Sequence, residues 1–253
     1  MNPIKILALK NFPFVEPDDD LASIIDKSIS VNNIKIDDND VFVIAQKIIS
    51  KSENRYVDLD LIEVSKDAEI LASKLNKNKG LVQAIINESK KIISTEKNVL
   101  IVEHKLGFIN INAGIDQSNI SQDKNTALLL PENPTKSAIQ LHQKLSSRLN
   151  KDISIIISDS MTRPFRSGIT NFALASHNIQ SLIDLKGKED MFGNKLKGTE
   201  IAVADELASA AGLLMGQSNE GIPVVIIKGF NKSSVKVNNA FDLIVNEKDD
   251  LYR

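Results

Sequence analysis

Cysteine and tryptophan are both missing from this chain, and aromatic residues of every kind make up 4% of it. Without a thiol there is no disulfide, no thiolate metal site and no cysteine nucleophile. With so few rings, stacking on nucleic-acid bases is not an expected binding mode. An excess of one charge is also lacking: 31 basic residues stand against 33 acidic ones, a net charge of −2. No global field draws a polyanion, and no local basic patch stands out, the pair Lys90-Lys91 reading as a solvated helix face. Long apolar runs are absent too. None approaches the roughly 18 residues of a membrane span, and the opening MNPIKILALKNFPF, interrupted by Pro13, has no signal-peptide core. The expectation is a soluble, cytoplasmic protein with neither nucleic acid nor membrane as partner.

What is present suffices for a large core: 253 residues, 42% of them hydrophobic. Residues 41–45, 99–102, 153–157 and 224–227 are short Val- and Ile-rich runs and read as buried strands. Between them lie helical spacings. Leu21, Ile24, Ile25 and Ile29 share one face, with Asp18, Asp19 and Asp20 as cap and first turn. Leu81, Val82, Ile85 and Ile86 form another such face, as do Ala138, Leu141, Leu145 and Leu149 behind Pro134. A fourth helix is predicted over residues 199–215. Residues 116–125 and 161–168 read as loops. The mixture implies an α/β or α+β fold, too irregular in spacing for a simple doubly wound sheet. No flexible tether appears, so residues 1–253 read as one domain, with room for two intimately joined subdomains.

Neither a GxxxxGK phosphate loop nor a GxGxxG turn occurs. Three other segments attract attention. In residues 153–166 (ISIIISDSMTRPFR) an apolar strand runs into Asp159 and Ser160, and two arginines then bracket Pro164 and Phe165. Carboxylate and hydroxyl at a strand's carboxyl end suit Mg²⁺ or Mn²⁺, and Arg163 and Arg166 suit phosphate or carboxylate. The same residues read equally as a turn with surface ion pairs. Residues 107–119 bring Asn110, Asn112, Asp116 and Asn119 within short reach, with Gly114 allowing close approach of a ligand, or they form a self-bonded loop. Residues 215–223 (MGQSNEGIP) could wrap phosphate with backbone N–H groups, or Gly216 simply ends a helix. His104, His142 and His177 show no metal-ligand spacing, and His142 reads as a packed core residue.

Together these segments resemble the coenzyme F420-0:L-glutamate ligase family. The resemblance rests on residues 112–119 (NAGIDQSN), 128–132 (LLLPE), 158–160 (SDS), 163–166 (RPFR), 199–211 (TEIAVADELASAA), 215–216 (MG) and 221–224 (GIPV), with 12–15 (FPFV) and 46–51 (QKIISK) before them. It implies a GTP-dependent ligase of unusual mixed fold, homodimeric, that attaches L-glutamate to a small-molecule carboxylate through an acyl phosphate. It implies two divalent cations, Mn²⁺ or Mg²⁺. Asp116 and Asp159 would hold one, and Ser160 (usually Thr in the family) and Gln217 the other. Nucleotide contacts would come from Phe12, Pro13, Phe14, Val15, Gln46, Lys47, Lys51, Asn119, Met215, Gly216, Gln217, Ser218, Asn219, Glu220, Gly221 and Ile222. Asp159, Arg163 and Arg166 would act on the reacting groups. The chain departs from the family over residues 161–177, where Met161-Thr162-Arg163-Pro164-Phe165-Arg166 replaces the commoner Phe-Gly-Arg-Pro-Trp-Arg. F420-0 is the acceptor implied first, a folate is the alternative, and a non-catalytic nucleotide-binding relative is the third reading.

Overall fold

The structure, a computed structural model, describes residues 3–120, 125–231 and 238–251. Its chain order is β1 (Lys5–Ala8), α1 (Leu21–Val31), β2 (Val41–Ala45), α2 (Gln46–Ser52), β3 (Tyr56–Asp58), α3 (Lys66–Leu75), α4 (Lys79–Asn87), β4 (Ser89–Ser94), β5 (Ile101–His104), β6 (Ile109–Ile111) and β7 (Thr126–Leu128). There follow α5 (Pro134–Leu149), β8 (Ser154–Arg163), β9 (Arg166–His177), β10 (Ile183–Asp184), β11 (Glu200–Ile201), α6 (Val203–Met215) and β12 (Val224–Lys228). The fold is mixed α+β, with several sheets.

The main sheet has five strands in the order β1-β12-β2-β8-β9. Only β2 and β8 run parallel, and the other neighbours are antiparallel. Its central strands are continuous apolar runs because both faces are covered. Phe42, Ile44, Ile155, Ile157, Val224 and Ile226 join α1 and α5 in one buried cluster. Val41, Val43, Ile156, Val225 and Ile227 join α6 in another. Each such fully buried side chain contributes roughly 1.5–3 kcal/mol. A third core lies apart: Leu59, Ala72, Leu75, Val82, Ile85, Leu100 and Val102 pack α3 and α4 on the small strands between residues 56 and 128.

Several expectations are corrected. Asp20 occupies the N-cap of α1 without a side-chain cap bond. Its carboxylate instead accepts from Arg148 at 2.9 Å and faces Lys144 at 3.6 Å, tying α1 to α5. Lys90 and Lys91 are in strand β4, not on a helix. The strand expected at 99–102 begins at Ile101. The helix expected from residue 199 begins at Val203, because Glu200 and Ile201 pair with β10. Residues 161–168 are mostly strand: β8 and β9 form a long hairpin closed by Pro164 and Phe165, with Arg163 opposite Arg166. Of the loop expected over 116–125, residues 121–124 lie outside the described residues. His142, read as a packed core residue, is half-buried, its ring edge-on to that of His177 with centroids 4.6 Å apart.

Candidate active site

Strands β2 and β8 run parallel and end side by side. Beyond Ala45 the chain turns into α2, and beyond Ser158 it presents Asp159 and Ser160. The carboxyl ends of parallel strands commonly open onto a ligand crevice. Here the crevice is a cavity of about 560 Å³. Residues 12–15 line it from before α1, Gln46, Lys47 and Lys51 from α2, and Asp116, Ser118 and Asn119 from the loop after β6. Ser158, Asp159 and Ser160 form the floor, Asn171 adjoins from β9, and residues 215–223 close it between α6 and β12. Every residue assigned above to nucleotide or metal is therefore at one cavity. Arg163 and Arg166 are not: both sit at the hairpin turn, outside the lining residues.

Asp116 and Asp159 dominate the electrostatics. Burial works to raise the Asp116 pKa, but Lys47 and the Ser118 hydroxyl and N–H outweigh it and hold the carboxyl below its usual range. Lys47 Nζ is 2.6 Å from Asp116 Oδ2 and donates to the Ser118 carbonyl at 2.9 Å. Ser118 in turn donates through N and Oγ to Asp116 Oδ1, both at 2.7 Å. Burial, reinforced by the Asp116 charge, pushes Asp159 up to about 7, although the Ser160 N–H and Gln46 amide support its charged form. Burial and the neighbouring Lys47 lower the Lys51 pKa.

The groups present fit a hard cation. Asp116, Asp159, Ser160 and Gln217 offer oxygen donors, the ligand type Mg²⁺ and Mn²⁺ take. The Lys47 ammonium already stands as a cation on Asp116, and its charge also acts on Asp159, where burial nevertheless outweighs it. Among the described residues no three His, Asp or Glu side chains gather as a dedicated metal cage. Two carboxylates completed by phosphate oxygens are the usual Mg²⁺ arrangement at nucleotides.

The loop after α6 is tightly specified. Gly216 caps the helix with φ +68°. A Cβ there would lie 2.1 Å from the Glu220 carboxyl carbon. Glu220 accepts from the Ser218 N–H at 2.8 Å, and neighbouring backbone N–H groups keep its pKa low. Asn119 Nδ2 donates to the Ser218 carbonyl at 2.8 Å, joining this loop to the Asp116 loop. Gln217 Nε2 donates to Asn171 Oδ1 at 3.0 Å.

Two features differ from the sequence expectation. Gly114 admits no ligand: its Cβ position would lie 2.9 Å from Leu130 Cδ1, so it serves internal packing. Asn110 and Asn112 stay outside the cavity lining. Ser118 and Asn171 were missed. Ser118 follows Asp116 at the two-residue spacing of a self-bonded Asx turn, a signal that was available. Asn171 gave no local signal, being one polar residue among several in β9 (RSGITNFALASH).

Comparison with known proteins shows the family. The family model described as F420-0:gamma-glutamyl ligase matches residues 10–229. The chain is 44% identical over 220 residues to the coenzyme F420:L-glutamate ligase of Methanocaldococcus jannaschii, covering 86% of each chain. It is 37% identical over 227 residues to the enzyme so named from Methanothermobacter thermautotrophicus, covering 90% of this chain and 89% of the relative. It is 33% identical over 228 residues to that of Archaeoglobus fulgidus, covering 90% and 88%.

Proposed function

Because the chain belongs to the F420-0:gamma-glutamyl ligase family, we propose that it is a GTP-dependent amide ligase joining L-glutamate to coenzyme F420-0 in the cytoplasm. One observation carries the reading: separate segments of the chain bring Asp116, Asp159, Lys47, Lys51 and the loop of residues 215–223 to one cavity. A carboxylate oxygen of the acceptor attacks the terminal phosphorus of GTP, the bond to the bridging oxygen breaks, and GDP leaves. The glutamate amine then attacks the acyl carbon, loses a proton, and expels phosphate. Such transfer relies on positioning and charge neutralisation rather than on covalent side-chain chemistry.

Asp116 and Asp159 would hold one divalent cation, and Ser160 and Gln217 a second; Mn²⁺ or Mg²⁺ bound there neutralises phosphoryl oxygens. Lys47 is free to exchange the Asp116 carboxylate for a phosphate oxygen, and Lys51 adds a second ammonium from the same helix. Residues 12–15 and 215–222 flank the nucleotide and limit water, protecting an acyl phosphate from hydrolysis. The protein acts as a homodimer, a reading supported by two apolar side chains at the exposed hairpin tip, where Phe165 is 99% exposed and Ile169 48%.

The test incubates the protein with GTP, Mn²⁺, L-glutamate and either F420-0 or tetrahydrofolate, and reads product mass. F420-0 should gain a glutamyl unit as GDP and phosphate appear, and Asp159→Asn should abolish the gain. Extension of the folate alone would reassign the acceptor. No nucleotide-dependent product with either acceptor would overturn the ligase reading.

A further inference from the structure

Gln217 reaches the cavity from an exposed loop, where a Gln side chain has many rotamers and an amide that can face either way. A metal takes only its oxygen. The hydrogen bond to Asn171 removes the ambiguity: Gln217 Nε2 donates to Asn171 Oδ1 at 3.0 Å, which commits the donor end and leaves Oε1 as the unshared acceptor. Turning the Gln217 amide over would set two carbonyl oxygens against each other.

Asn171 is itself held at both ends. It is 8% exposed. Its Nδ2 faces Met215 Sδ at 3.7 Å, and its backbone carbonyl accepts from Ser209 Oγ at 2.8 Å. Sulfur accepts weakly, so the amide group belongs on that side and the oxygen on the Gln217 side. Room for this side chain comes from α6. At Gly212 a Cβ would lie 2.7 Å from Asn171 Oδ1 and 2.8 Å from its Cγ, so any larger residue displaces the amide. Asn171 also lies opposite Ser160 in the β8–β9 register. One strand pair thus fixes Ser160 directly and Gln217 through Asn171.

We propose that Asn171, accommodated by Gly212, is a positioning residue that orients the Gln217 amide oxygen toward a bound divalent cation. This rests on the reading of Gln217 as a metal ligand. Partners behind a metal ligand commonly change metal affinity by about tenfold or more when removed.

A double-mutant cycle tests it, with Mn²⁺ titrated into the protein at fixed GDP and free Mn²⁺ read by electron paramagnetic resonance. Asn171→Leu should weaken Mn²⁺ binding about tenfold. It should have no further effect on top of Gln217→Ala, since it acts through that side chain alone. Gly212→Ala, which keeps Asn171 and favours the helix, should weaken binding in the same direction and covers the case in which Asn171→Leu fails to fold. If Gln217→Ala weakens Mn²⁺ binding while Asn171→Leu and Gly212→Ala do not, the positioning role falls and the ligand assignment stands. Equal added losses in the Gln217→Ala background would likewise reduce Asn171 to a structural residue. If Gln217→Ala leaves Mn²⁺ affinity unchanged, the ligand assignment falls first and takes the positioning role with it.

Discussion

His104 is 3% exposed, its ring stacked on Phe108 with centroids 5.1 Å apart. Its Nδ1 accepts the Leu106 N–H at 2.9 Å. Burial, aided by the positive charges of Lys105, Arg55 and Lys90, lowers its pKa to about 4. The ring is therefore neutral at pH 7, and its 3.8 Å approach to Glu88 is not an ion pair there. In the unfolded chain the same ring takes up a proton near pH 6.5. As pH falls from that value toward 4, the unfolded state binds a proton that the folded state refuses. Stability drains away across that window, by roughly 3 kcal/mol at its lower end. His104→Asn keeps an acceptor for Leu106 but does not titrate. Urea unfolding from pH 7 to pH 4 should show the original protein losing stability more steeply than this variant, and parallel curves would refute the shift. At this scale the sequence was legible where chemistry is local. Asp159 follows directly on an apolar strand, and Asp116 sits among turn formers. Asn171 and Gly212 were not legible, because their meaning lies in a contact between β9 and α6 that no local spacing encodes.

The β8–β9 hairpin runs out past the core, and its outer residues pass from buried to exposed along each strand. Residues 161–168 read as a loop because strands wet on both faces lose the apolar alternation that marks a strand. Only the inner half, over the buried clusters, kept that signal. At the turn Phe165 adopts φ +58°, a conformation that costs a bulky residue free energy, and it gains no burial in return. Phe165→Asn suits that backbone and removes the ring. The thermal midpoint of the monomer should hold or rise slightly, by up to about 1 kcal/mol of stability. Self-association measured by sedimentation should weaken at least about tenfold if the tip meets a second copy. Unchanged association would take the hairpin out of the dimer contact. Helix α6 shows the opposite case: its start differs by a few residues from the expected one, yet its end at Met215 is as the spacing predicts.

For the whole molecule, the motifs identified the family while the sheet order stayed hidden. Strands 41–45, 153–157 and 224–227 were each recognisable by composition, but nothing local says that β12 inserts between β1 and β2. That insertion has a consequence for how the chain is made. β1 has β12 as its neighbour, registered from Lys5 opposite Lys228 to Ala8 opposite Val225. β2 meets β12 on its other edge, Val41 opposite Ile227. A ribosome that has delivered everything up to Pro223 has delivered both flanking strands but not the one that joins them. Until β12 emerges, β1 lacks the strand it pairs with here and β2 shows a bare apolar edge. β1 and the open edge of β2 must therefore wait for the C-terminal strand, while the separate core of residues 56–128 need not. This long-range closure slows folding and leaves an edge open to aggregation meanwhile. A chain ending at Pro223 should show no cooperative thermal transition and should precipitate on synthesis, and a sharp melt from that fragment would mean that the sheet can nucleate without its last strand.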